Sequence, residues 1–186
     1  MKLFFKIIML SFLTISSCKL QQNEKSEPNP NPPKAQFTKF DLGESDLPTL
    51  KNVVNYYEFL FTIEQLEKLT LLIREYEKKT SNQIAIVSIK SIGKYTDFSQ
   101  FAIDLSNHNG VGQKEKNNGL TIVFSKTLRK IRISTGIGTE QILTDEICEE
   151  VIEKIIIPEF KKGEYYLGIK KGINELIAKW QKPIKR

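Results

Sequence analysis

Apolar positions change their period several times between residues 62 and 180, and each change marks an element. Thr62-Ile63-Glu64-Gln65 forms a capping box, and Leu66, Leu69, Ile73 and Tyr76 follow at helical spacing, which predicts a helix. QIAIVSIK (83–90) is nearly all apolar and β-branched, which predicts a strand buried on both faces. Asp97 stands where it would cap a second helix, with Phe98, Phe101, Ala102 and Leu105 along one side. GLTIVFS (119–125) and RKIRIST (129–135) predict two strands joined by a short turn around Lys126 and Thr127. In the second of these, Ile131 and Ile133 alternate with Arg132 and Ser134, the pattern of a half-exposed strand. Two helices follow, one over about 144–156 that ends before Pro158. The other covers about 163–180 and turns Tyr165, Ile169, Ile173, Leu176 and Trp180 inward. An earlier strand is expected near Lys51–Asn55. Alternating helices and strands predict an α/β fold, a sheet covered by helices on both faces, with a strand order that the pattern does not reveal.

The first residues follow a different logic. Lys2 and Lys6 precede an apolar run (7–15, IIMLSFLTI), which is too short to span a bilayer and has the shape of a signal peptide. The run closes on Ile15-Ser16-Ser17-Cys18, which resembles a bacterial lipobox. That resemblance implies cleavage before Cys18, a diacylglycerol on its sulfur, and a lipid-anchored protein of the bacterial cell envelope. No Asp follows Cys18, so an outer-membrane location is favoured by analogy. Residues 19–36 carry four of the seven prolines among polar residues and are nearly free of apolar ones. Such a stretch buries too little to fold, and as a polyproline-like tether it reaches about 55 Å. The expected organisation is a leader at 1–17, a lipidated cysteine and tether at 18–40, and one domain at 41–186.

Composition narrows the function classes. Loss of Lys2 and Lys6 with the leader takes the 28 cationic side chains to 26 against 22 anionic ones, a net of +4. That is a mild bias and no nucleic-acid footprint. The basic C-terminal residues Lys179, Lys182, Lys185 and Arg186 read as a solvated helix end. With Cys18 acylated, Cys148 has no partner for a disulfide and reads as an inert, semi-buried thiol. There is no G-x-S-x-G elbow, no phosphate-binding G-x-x-x-x-G-K-[ST] loop and no H-E-x-x-H. His108 is the single histidine, and it reads as a helix-end hydrogen-bonding residue; a zinc site of several His or Cys is excluded.

Two glycine-bearing loops carry a further signal. Asn109-Gly110-Val111-Gly112 is followed by Asn117-Asn118-Gly119, which leads into a buried strand. Thr135-Gly136-Ile137-Gly138-Thr139-Glu140, Leu143-Thr144-Asp145, Ile156-Ile157-Pro158-Glu159-Phe160, Gly163 and Tyr165 come after it in order. The ordered set, with Val53-Val54-Asn55 upstream, resembles the TPM domain family over about residues 50–180. The resemblance implies a Rossmann-like three-layer sandwich with a mixed sheet of about four strands, outside the cytoplasm and membrane-attached. Members include thylakoid-lumen proteins, some of them acid phosphatases, and bacterial members that bind calcium.

The sequence departs from that pattern at its acids. Asn55 and Asn117 stand where the family commonly has Asp, Asn109 stands where it often has Trp, Asp145 remains, and Glu164 replaces a late Asp. Calcium takes six to eight oxygens, several of them carboxylate, so each amide weakens such a site. Glu146, Glu150 and Glu153 share one helical face and read as solvated. The candidate ligand or metal loop is therefore Asn55, Asn117, Asn118, Gly119, Gly136, Gly138, Glu140, Asp145 and Glu164. No cofactor is certain, and Ca2+ is implied only by the family. Gly110, Gly112, Gly136 and Gly138 also have a purely conformational reading as helix closers and tight turns. The leading expectation is a lipid-anchored, non-catalytic binding or assembly module for another envelope component. The alternatives are a metal-dependent acid phosphatase that uses Glu140, Asp145 and the 117–119 loop, and a calcium-binding domain without catalysis.

Overall fold

The computed structural model describes residues 47–181. The leader, Cys18 and the proline-rich stretch lie outside the described residues. The elements are β1 (Val54–Tyr56), α1 (Ile63–Thr80), β2 (Gln83–Ser88), α2 (Phe98–His108), β3 (Gly119–Ser125) and β4 (Lys130–Thr135). They are followed by α3 (Ile137–Glu140), α4 (Asp145–Val151), α5 (Ile157–Lys161) and α6 (Tyr165–Trp180). The sheet runs β1-β2-β3-β4, so strand order follows chain order; β1, β2 and β3 are parallel and β4 is antiparallel to β3.

The caps form where the sequence puts them. Thr62 Oγ1 accepts from the Gln65 N–H while the Gln65 side chain accepts from the Thr62 N–H, and Asp97 accepts from the Gln100 N–H at 2.7 Å. In β2 and β3 every residue but Gln83 is buried, as strands covered on both sides must be. Side chains at successive strand positions point to opposite faces, which splits the core in two. Ile84, Ile86, Leu120, Ile122, Phe124 and Ile133 meet α1 and the C-terminal helices on one face. Val87 and Val123 meet Phe98, Phe101, Ala102 and Leu105 of α2 on the other.

Three expectations need correction. The first strand begins later, at Val54, and the last helix begins at Tyr165. The larger difference is at Pro158, which does not end a helix. Between α4 and α5 lies a π turn (Ile152–Ile156), and the Ile157 N–H donates to the Ile152 carbonyl five residues back. Proline is excluded from helix interiors because it lacks an N–H and its ring strikes the carbonyl four residues earlier. Here it sits at the start of α5, just past the widened turn, so the helical path continues to Lys161. Packing sustains that path. A Cβ at Gly172 would lie 2.6 Å from the Ile156 side chain, so a larger residue there would have to displace Ile156, and glycine lets α6 pack close to the π turn.

Candidate functional site

At the N-terminal end of β3 three loops are pressed together. The Gly112 N–H donates to the Gln83 side-chain oxygen (2.8 Å), the Gly136 N–H to the Gly119 carbonyl (2.9 Å), and the Gly138 N–H to the Asn117 carbonyl (3.1 Å). These bonds need backbones in near contact. A Cβ on Gly119 would fall on the Val111 carbonyl, one on Gly136 on the Asn117 carbonyl, and one on Gly138 on the Lys116 carbonyl. Asn118 ties the arrangement to the link between α1 and β2. Its Oδ1 accepts from the Gln113 N–H, and its amide nitrogen donates to the Ser81 carbonyl and the Asn82 side chain. Asn109 fastens the entering chain, accepting from the Leu50 N–H at 2.7 Å and donating to the Pro48 carbonyl at 3.0 Å.

Beside these loops, between the second half of α2 and the β4–α3–α4 segment, lies a cavity of about 520 Å3. Its charged walls are Lys114, Arg132, Glu140 and Asp145. Arg132 Nη2 donates to Asp145 Oδ1 at 3.1 Å, a pair that is still partly exposed. Of the residues that line it, Arg132 and Ser134 each carry a buried polar atom, Nε and Oγ, with no hydrogen-bond partner, and Ser134 is only 6% exposed. Behind them Ser106 and Thr121 share a hydrogen bond of 2.7 Å.

The nine candidate residues separate into two groups. Asn117, Gly136, Glu140 and Asp145 line the cavity, while Asn118, Gly119 and Gly138 build the loops behind it. Asn55 and Glu164 stand elsewhere. Asn55 pairs with Val87, near the far end of the parallel strands, where its side chain accepts from the Lys51 and Asn52 N–H groups and closes a local turn. Glu164 precedes α6 at that same far end, next to Tyr165, whose ring lies 5.6 Å from Lys126 Nζ.

Arg132 and Ser134 are the residues that the sequence reading misplaced. Their alternation with Ile131 and Ile133 suggested a solvent face, but α2 covers that side of β4, so Ser134 is buried and Arg132 half-buried. The signal available was the pairing of an arginine with a serine two residues on, beside a glycine loop. Cys148 lies below Asp145. Burial above all, and then the Asp145 carboxylate against the opposing Arg132, pushes its thiol up to about 12. Its Sγ–H faces the Leu143 carbonyl at 3.9 Å, which suits an inert packing residue. The Glu146-Glu150-Glu153 face behaves as a solvated one, with Glu150 paired to Lys154 at 3.0 Å.

A calcium ion does not fit this donor set. Two carboxylates face the cavity, one of them is held by Arg132, and the Asn118 amide is fully engaged in its loop. Among the described residues no three His, Cys, Asp or Glu side chains gather to hold a metal. Six to eight oxygens with several carboxylates are needed, and Arg132 competes with a divalent ion for the Asp145 carboxylate.

Comparison with known proteins places this frame. The family model described as the TPM domain matches residues 54–179. Among solved structures, the N-terminal domain of a protein from P. gingivalis is similar at 28% identity. Its TM-score is 0.63, with 69% of this chain and 81% of that one covered. The BA42 protein of the psychrophilic bacterium Bizionia argentinensis shares the fold at 22% identity and TM-score 0.58, covering 66% and 83%. The N-terminal domain of the cg2496 protein of Corynebacterium glutamicum shares it at 12% identity and TM-score 0.55, covering 76% and 94%. No curated protein matches the chain.

Proposed function

Since this chain belongs to the TPM domain family, we propose that it serves as a non-catalytic binding module, carried on a lipid at Cys18 at the surface of a bacterial envelope membrane. The observation that carries the reading is the composition of the cavity wall. It offers unpartnered donors, Arg132 Nε and Ser134 Oγ, beside two carboxylates, one of which is already paired. Hydrolysis of a phosphate ester requires a metal clamp or an activated nucleophile. The nearest thiol is buried and held protonated, and the metal ligands are too few. Binding needs neither.

Glu140 and Asp145 do share the cavity with Asn117, and this is the observation that favours the second reading, a metal-dependent acid phosphatase. An aryl phosphate assay with divalent ions separates the two. The binding reading expects no turnover above the Asp145→Ala background, and enzyme-like turnover lost in that variant overturns it. The anchor has its own test. Cys18→Ser is expected to leave an unprocessed or mislocalised chain, and a normally processed, membrane-bound product would refute the lipid.

A further inference from the structure

The cavity's charge balance specifies its occupant more closely than its shape does. Lys114 and Arg132 face Glu140 and Asp145, so the wall sums to zero. A dianionic ester would bring two uncompensated charges into it, and a simple cation would meet the guanidinium. A ligand that carries one charge of each sign meets a partner for both. The position of the unpartnered groups adds a direction. Arg132 commits one nitrogen to Asp145 and leaves Nε without an acceptor, and two residues along the strand the buried Ser134 hydroxyl has none either. A planar carboxylate is the acceptor that a guanidinium edge and a neighbouring hydroxyl suit best. Val111 lines the same cavity, and Ile137 stands at its mouth 73% exposed, an apolar residue with little else to cover it. The volume, about 520 Å3, lies in the ordinary range of small-molecule sites.

We propose that the cavity binds a small zwitterion of the amino-acid or short-peptide class, with its carboxylate on Arg132 and Ser134, its ammonium toward Glu140 and Asp145, and an apolar side chain against Val111 and Ile137. This rests on the binding reading above and names the class of ligand for that site.

The test is calorimetric titration of the full chain, held in detergent, with the dipeptide Gly-Leu, its C-terminal amide, its N-acetyl form and inorganic phosphate. Gly-Leu binds, and either cap weakens it at least tenfold. Ser134→Ala and Glu140→Gln each weaken Gly-Leu while the melting temperature stays at or above that of the parent, so lost binding is not lost folding. Equal binding of the capped forms, or no binding of Gly-Leu, overturns the zwitterion. Phosphate taken in preference to the dipeptide also overturns it, while leaving the binding module intact. The module itself falls only to aryl phosphate turnover, which is a separate readout.

Discussion

The two ends of the sheet are finished in opposite ways. At the far end of β3, Glu58 caps the turn into β4. Its carboxylate accepts from the Lys126 and Thr127 N–H groups and from the Thr127 hydroxyl, at 2.7–3.0 Å. Ser125 Oγ adds a fourth bond, accepting from the Leu128 N–H at 3.0 Å, so two side chains satisfy the turn. At the near end the loops satisfy one another through backbone contacts that only glycine permits, and polar atoms beside them are left over. A protein rarely leaves buried donors unpaired where nothing comes to meet them. Tyr166 Oη, beside Phe61, is unpartnered as well, so the contrast is one of construction: a turn closed by side-chain acceptors at one end, and glycine-bound loops beside a cavity at the other.

The largest effect comes from breaking the near end. Gly119→Ala forces a methyl group onto the Val111 carbonyl, and a loss of more than about 3 kcal/mol is expected in denaturant unfolding. At the far end, Glu58→Ala removes three hydrogen bonds and leaves their donors to water. Here about 1–2 kcal/mol should be lost, with affinity at the cavity unchanged. A large fall in affinity would show that the two ends are coupled. Ser134→Ala should move stability the other way. It deletes a buried hydroxyl that has no partner, so a gain of up to about 1 kcal/mol is expected from the same unfolding measurement. A clear loss would place an internal partner on that hydroxyl and weaken the contrast.

The smallest effect is one of pH, and it belongs to the far side. Lys171 first, then Lys162, hold the Glu159 carboxyl below its usual 4.5. A carboxyl lowered in the fold adds stability that is fully present above its unfolded value and is lost as pH falls through the lower folded one. The melting temperature should therefore drop on acidification below 4.5, and less steeply in Glu159→Gln. Identical slopes in the two proteins would remove Glu159 from the account.

The fold was legible where one short-range rule decides an element. Thr62 and Asp97 cap because their side chains reach an N–H three residues on, and β2 and β3 announce themselves because burial on both faces leaves no room for polar residues. Pro158 misled because the rule that bars it presumes an α-helical turn, whereas Gly172 lets α6 press against a π turn there. The candidate site was legible in part for a similar reason. Glycines and the acids Glu140 and Asp145 mark the loops, but Arg132 and Ser134 look exposed until α2 is known to lie across β4. Chain order and family pattern group Asn55 and Glu164 with the loops, but the parallel register carries Asn55 to the far end and the start of α6 puts Glu164 there.

The sheet order has one further consequence, concerning hand. From β1 to β2 and from β2 to β3 the chain advances in the same direction across parallel strands. Yet α1 packs on the face of Ile84 and Ile86, and α2 on the face of Val87 and Val123. Two crossovers that advance the same way on opposite faces are mirror-related in sense, so one of them is left-handed, the turn that such units almost never take. Had α2 crossed on the face that α1 takes, the side of β4 that bears Arg132 and Ser134 would have had no helix to form a wall opposite it.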